Sequence, residues 1–346
     1  MPTKGIYIYG IVPNFYSAEM FRAIENSGLY AIPFQNISAI VSDRESALID
    51  YLDRESLGHL LVHHQRTIEE LMSIGFTMLI PMRLGTIVNS KEETFKILTC
   101  GYNLIIDTLK QIEFLIEIDV VVTWADFNST IKEIADYPDI AEMKNNILKK
   151  SETLSQIDQM KVGLLVQEKL KGKNTKVKLD ILDTIAVTCL DIKTHEVMND
   201  QMVTNSAFLI ERSKQEMFEQ IINNLDAENK GLLNFKLVGP LPCYSFYTLE
   251  YKEMNPEQVE QARIVLELEK ETTESEIKKA YLNKARLFHP DADFKNNDEI
   301  IFNNINKAYH ILLDYSVSVR QSSKEDIISL AKEHVIKNSF LVKIKE

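Results

Sequence analysis

Between residues 4 and 251 short apolar runs alternate with amphipathic stretches, and from residue 252 onward the apolar runs give way to closely spaced amphipathic ones. The first pattern restricts the chain to strands laid against helices, because each such element hides only one apolar face and needs a neighbour to cover it. "GIYIYGIV" at 5–12 reads as a buried strand. Ser17 reads as the cap of a short helix with Met20, Phe21 and Ile24 on one side, and Gly28 ends it. "LYAIPF" and "ISAIVSD" read as strands, 56–74 as a helix, and "TMLIPMRLGTIV" at 77–88 as an extended stretch interrupted by Pro81 and Gly85. A helix over about 91–116 and the buried strand "EIDVVVTWA" follow. Further on, "SAFLIE" and the pair "LNFKLVG" and "CYSFYTLEY" read as strands around a helix at 213–225.

The expected fold is α+β: two α/β domains joined by a helical connector, then an all-α helical hairpin. The expected boundaries are 1–127 for the first α+β domain, 128–159 for the connector and 160–251 for the second α+β domain. The polar "KEMNPEQVEQ" supplies a linker at 252–261, a helical module fills 262–318, and 319–346 is a C-terminal helix and tail. Ser323 caps that last helix, and the alternating "SFLVKIK" is either a docked edge strand or a mobile tail. The two halves of the body share a strand–helix–strand rhythm without a strict repeat.

Composition excludes several function classes. A net charge of −12 argues against nucleic-acid or anionic-membrane binding, both of which need basic surface. Cys100, Cys189 and Cys243 are isolated and form neither a disulfide framework nor a CxxC pair, so a reducing cytoplasm is expected. No apolar segment is long enough to span a bilayer.

The sharpest local signal lies in 262–315. "TESE" at 273–276 is a capping box. The helix it opens places Ile277, Ala280, Tyr281, Ala285 and Phe288 inward and carries Lys278, Lys279, Lys284 and Arg286, with no acidic residue from 277 to 290. Pro290 stops it and pushes His289 out of helical geometry, so "HPD" is displayed on a loop. "FNNINKAYHILLDY" then forms a second helix with Phe302, Ile305, Ala308, Tyr309 and Leu312 on one face.

Weaker signals have plainer readings. His59 and His63 stand one helical turn apart, with His64 and Glu70 nearby, but no further ligand completes a metal set, so they read as interface histidines. Arg83 beside Gly85 in "PMRLG" reads as a structural clamp. No nucleotide-binding glycine motif is present, and no catalytic residue, metal or cofactor is expected.

"EIKKAY" at 276–281, "HPD" at 289–291 and "FNNINKAYHILLDY" at 302–315 together resemble the J-domain of DnaJ-type cochaperones. The resemblance implies that His289, Pro290 and Asp291 contact Hsp70 (DnaK), with Lys278, Lys279, Lys284 and Arg286 as the basic face that steers the encounter. Leu282 and Asn283 stand where that family usually has basic residues, Lys284 where it usually has leucine, and "VLEL" at 265–268 replaces a glycine-containing opening.

The body resembles a second family. "GIYIYGIV", "LIPMRLGTIV" (79–88), "VVVTWA" (120–125), "NSAFLIER" (205–212) and "VGPLPCYSF" (238–246) follow the order of the gas vesicle protein L/F (GvpL/GvpF) family. Leu241 and Cys243 replace a tryptophan and a second proline of its last motif. This resemblance implies a ferredoxin-like first domain and a non-enzymatic assembly factor, cytoplasmic and gas vesicle associated. Its implied partners are the small hydrophobic GvpA-type shell protein and other gas vesicle accessory proteins. Two alternatives stay open: a general J-domain cochaperone for another client, and a metal-dependent enzyme using His59 and His63.

Overall fold

The structure, a computed structural model, describes residues 4–45, 53–148, 155–229, 231–288, 298–322 and 326–345. It divides into two compact units, one made of residues 1–110 and 247–346, the other of 111–246.

The first unit opens with β1 (Lys4–Pro13), α1 (Ala18–Glu25), β2 (Tyr30–Phe34), β3 (Ile37–Glu45), α2 (Arg54–Ile74), β4 (Ile80–Pro81) and β5 (Ile87–Val88). Ser17 caps α1 through the Met20 amide, and Gly75 ends α2 in the left-handed region at φ 116°. The sheet order is β2-β3-β1-β4, with β5 also on β1 and every pairing antiparallel. A β-α-β-β-α-β path with that order is the ferredoxin-like arrangement.

The expected single helix over 91–116 is two, α3 (Lys91–Cys100) and α4 (Tyr102–Ile112). The break falls at Gly101, where a Cβ would meet Val342 Cγ1 at 2.7 Å, so only glycine admits that side chain.

The second unit runs through β6 (Leu115–Trp124), α5 (Phe127–Ala135), α6 (Pro138–Leu148), α7 (Gln156–Ala186), β7 (Asp191–Thr194), β8 (Met202–Glu211), α8 (Gln215–Glu228) and β9 (Leu233–Leu241). Its sheet order is β7-β8-β6-β9, again antiparallel. This is the same path and order as in the first unit, so the rhythm shared by the two halves is a repeated topology. Ile116, Ile118, Val120, Val122 and Trp124 line one face of β6 and pack with Phe208, Phe218 and Ile185.

Two expected boundaries move. The strand expected to close a first domain at 127 opens the second sheet instead, because β6 pairs with β8 and β9. The expected connector at 128–159 therefore lies within the crossover from β6 to β7.

After the second unit the chain returns to the first with β10 (Leu249–Glu253), α9 (Pro256–Leu266), β11 (Glu271–Thr272), α10 (Glu274–Leu287), α11 (Asp298–Ser322), β12 (Ile328–Ser329), α12 (Lys332–Lys337) and β13 (Phe340–Ile344). The segment expected to be a linker at 252–261 is structured: Met254 is buried, Asn255 caps α9, and Val259 is in the core. The alternating C-terminal run is a docked strand, with β13 pairing β10 from Leu249↔Ile344 to Glu253↔Phe340. Ser323, the expected helix cap, lies outside the described residues.

Candidate functional site

The α9–α11 region forms one apolar core. Val259, Ala262 and Leu266 of α9, Ile277 of α10, and Ile305, Ala308, Leu312 and Tyr315 of α11 are buried together. Tyr281 and Tyr309 stack across the hairpin at 4.1 Å between ring centroids, and the Tyr281 hydroxyl donates to Asn306 Oδ1 at 2.8 Å. The capping box forms as expected: Thr273 Oγ1 accepts from the Glu276 amide, and Glu276 Oε2 accepts from the Thr273 amide at 2.7 Å. Those bonds hold the Glu276 carboxyl below its ordinary range.

The hairpin is fastened to the rest of its unit by polar clamps. Asp314 of α11 takes Lys252 Nζ of β10 at 2.8 Å and Lys343 Nζ of β13 at 3.0 Å. Burial alone would raise the Asp314 carboxyl, but the two lysine hydrogen bonds hold it below its ordinary range. Ser318 Oγ donates to the Asn338 and Phe340 carbonyls. Arg83, read as a clamp, pairs with Glu250 of β10.

The four expected cations of α10 differ in state. Lys278 pairs with Glu274 at 2.6 Å, and Lys284 pairs with Glu267 at 2.8 Å. Lys279 and Arg286 are exposed and carry no ion pair among the described residues. Leu282 and Leu287 are exposed on the same side, since 279, 282, 283, 286 and 287 recur at helical spacing. The outward face of α10 is therefore part basic and part apolar. His289, Pro290 and Asp291 lie outside the described residues.

Of the three α2 histidines only His64 is buried, and two of them meet tyrosines of β1. Tyr7 Oη lies 2.8 Å from His64 Nδ1, and Tyr9 Oη lies 3.2 Å from His63 Nε2. Burial pushes the His64 imidazole down to about 4, against a Met82 backbone contact that raises it. His59 points to solvent, 4.0 Å from Glu55. Among the described residues no group of three or more His, Cys, Asp or Glu side chains could hold a metal ion.

A polar cluster that the sequence reading passed over lies in the second unit. Glu117 of β6 is buried and accepts from the Ser245 amide at 2.7 Å and from Ser245 Oγ at 2.8 Å. Burial pushes its carboxyl far above the ordinary range, against the Ser245 backbone bond, and Asp119 adds to the rise. Asp119 is raised by burial too, and its Oδ1 is buried without a hydrogen-bond partner among the described residues. Two carboxyls this close ionise as a pair, with the first charge opposing the second. The signal for this site was the presence of two acidic residues inside an otherwise apolar strand.

The family model of gas vesicle synthesis protein GvpL/GvpF matches residues 5–248. The chain belongs to the GvpL/GvpF family. A DnaJ domain matches residues 264–317, which is the α9–α11 region. Gas vesicle protein F of Nostoc sp. strain PCC 7120 is 21% identical over 247 residues, covering 70% of this chain and 98% of that protein. Gas vesicle protein F of Microcystis aeruginosa strain PCC 7806 is 20% identical over 249 residues, covering 71% and 99%. Chaperone protein DnaJ 1 of Aquifex aeolicus is 37% identical over 65 residues, 19% of this chain and 17% of that one. The crystal structure of GvpF from Anabaena sp. PCC7120 covers 70% of this chain and 97% of its own, with a TM-score of 0.55 at 20% identity, and so shares the fold. This GvpL/GvpF member thus joins a gas vesicle protein body to a chaperone-type module. The matched families are described by gas vesicle and DnaJ names, not as enzymes.

Proposed function

We propose that this protein is a non-enzymatic gas vesicle assembly factor that binds the small hydrophobic shell protein and presents an Hsp70 to it through the J-module. The observation that carries the reading is the union of a GvpL/GvpF body and a DnaJ domain in one chain, with the DnaJ region clamped into the same compact unit as the N-terminal sheet. A shell subunit with a water-repelling face exposes apolar surface before assembly, and such surface aggregates unless covered. A client-binding body fused to a J-module raises the local Hsp70 concentration at that surface. Because β10, α11 and β13 are tied by Asp314 and Ser318, the module acts as a fixed arm of its unit rather than a domain on a string. His289, Pro290 and Asp291 are the proposed contact residues, with Lys279 and Arg286 as the outward cations.

The test uses the full chain, because residues 247–346 complete the first unit. Single-turnover ATP hydrolysis by the host's Hsp70 is measured with wild-type and His289→Gln protein, alongside co-purification with the shell protein. Stimulation by the wild type alone, with shell-protein capture by both, supports the reading. Equal rates for the two proteins remove the Hsp70 role, and failure of capture removes the client role.

A further inference from the structure

The sheet of the second unit has two faces, and its apolar core accounts for one of them. Ile116, Ile118, Val120 and Val122 of β6 turn toward that core, so Glu117 and Asp119 turn the other way. Residues 242–246, the last of the unit, form a turn over Glu117. In it Cys243 and Phe246 are buried, and the Phe246 amide donates to the Cys243 carbonyl at 3.1 Å. Ser245 is the anchor of the turn. Its amide and its Oγ donate to the two oxygens of Glu117, and His195 Nε2 lies 3.1 Å from the same Oγ.

Glu117 and Asp119 are also hydrogen-bonded to each other. Two carboxyl groups make that bond only with a proton between them, because an ionised carboxylate has no donor. Burial raises both, so the pair keeps one proton in a range where carboxyls in water have lost it. The surrounding charges do not take its place. Beside the turn, Lys193 of β7 lies over the Phe246 ring at 5.7 Å, and His195 opposes the rise at Asp119 without forming an ion pair among the described residues. Asp191 of β7 is exposed. At the end of β8, Glu211 is held by Lys214, and Arg212 is exposed. On β9, the uncharged Leu241 stands opposite Glu117, and Lys236 is farther along, opposite Val121.

We propose that Glu117, Asp119 and Ser245 form a proton-operated latch: the proton shared by the two carboxyls keeps the 242–246 turn closed on the sheet, and its loss to water releases the turn. The strand cannot be the part that yields, because β6 is paired along both edges, to β8 and to β9. Opening the turn lets water reach both carboxylates, which then ionise without the cost of a second buried charge. The closed form therefore binds one proton more than the open form. From the ordinary carboxylate range upward, opening becomes easier by up to about tenfold per pH unit, and it levels off once the pair ionises in place. The latch lies in the second unit and is independent of the Hsp70 reading.

The experiment is hydrogen exchange of the full chain by mass spectrometry from pH 5.5 to 8.5, each rate divided by the intrinsic rate at that pH. The reporter is the peptide spanning 242–246, whose Ser245 amide is bonded to Glu117. In the wild type its protection is expected to fall about tenfold or more between pH 5.5 and 7.5. In Glu117→Gln and in Asp119→Asn an amide N–H replaces the shared proton, and the fall should shrink to less than about twofold. His195→Gln should keep the wild-type slope, which assigns it to the carboxyls. Peptides of β8 should stay better protected than the turn in every protein, which verifies that the variants fold and that the opening is local. A flat wild-type profile, an undiminished slope in both carboxyl variants, loss of the slope in His195→Gln, or one opening constant for the turn and β8 would each overturn the proposal.

Discussion

Two buried titratable residues set opposite pH dependences. His64 sits with Tyr7 in the first unit, and burial lowers its imidazole to about 4 from the ordinary 6.5. Between those values the unfolded chain binds a proton that the folded chain refuses, so stability rises with pH across that window. The contribution lost on acidification is at most roughly 3.5 kcal/mol, from about 1.4 kcal/mol per pH unit. Urea denaturation at pH 4.5 and 7 should show it, and His64→Gln should flatten the difference. Glu117 has the reverse sign. Its carboxyl is raised by burial, so the folded state holds the extra proton. The stability it contributes is complete below the ordinary carboxylate range and is lost as pH rises through the folded value. Glu117→Gln keeps an acceptor for the Ser245 amide and cannot ionise. It should therefore match the wild type near pH 5 and exceed it at pH 9 in thermal denaturation. A variant less stable than wild type at pH 9 would refute the assignment of a protonated Glu117.

At the scale of elements, the α10 cations separate into two kinds. Lys278 and Lys284 are held by Glu274 and Glu267, whereas Lys279 and Arg286 face outward. Each of these ion pairs keeps one solvent-exposed partner and such pairs contribute only about 0–1 kcal/mol, so neutralising Lys278 or Lys284 to glutamine should alter stability little. Reversing Lys279 and Arg286 to glutamate should slow Hsp70 association several-fold at low salt and narrow the gap at high salt, because steering acts through unpaired charge. Surface plasmon resonance at two ionic strengths distinguishes the pairs, and equal effects from both would contradict the separation. Much of this element was legible beforehand. Thr273 and Glu276 announce the start of α10 within four residues, and Ile277, Ile305 and Leu312 announce the hairpin core by spacing alone. The Lys284 pair was not legible, because Glu267 meets it only after the chain has turned, whereas Glu274 and Lys278 stand at i,i+4 spacing. Polar "KEMNPEQVEQ" misled for a similar reason: one buried methionine and one buried valine anchor it, too few to register against eight polar or turn-forming neighbours. The strand at 115–124 was found correctly, but its partners lie at 202–211 and 233–241, and a strand's own residues do not name the strand beside it.

At the scale of the whole molecule, the chain path decides which pieces can stand alone. The second unit is continuous over 111–246, with all four strands of its sheet and the core of Val120, Phe208, Phe218 and Ile185 inside that span. The first unit is discontinuous, since residues 1–110 meet 247–346. Cutting after residue 255 would leave β10 without β13, Lys252 without the Asp314 carboxylate, and Gly101 facing a missing Val342. Leu341 and Val342 are both fully buried, and a buried aliphatic side chain is worth about 1.5–3 kcal/mol, a large share of the 5–15 kcal/mol that holds a typical domain. A fragment of residues 111–246 is therefore expected to unfold cooperatively on its own, while a fragment of 1–255 should keep that transition and lose the first unit's. In the full chain, Leu341→Ala should lower only the first unit's transition, by roughly 2–5 kcal/mol for a large-to-small change in a packed site. Calorimetry of the four proteins, with hydrogen exchange to assign each transition to its unit, provides the check. A 1–255 fragment that retains both transitions would show that the C-terminal strand and the J-module are appended to the first unit rather than part of it.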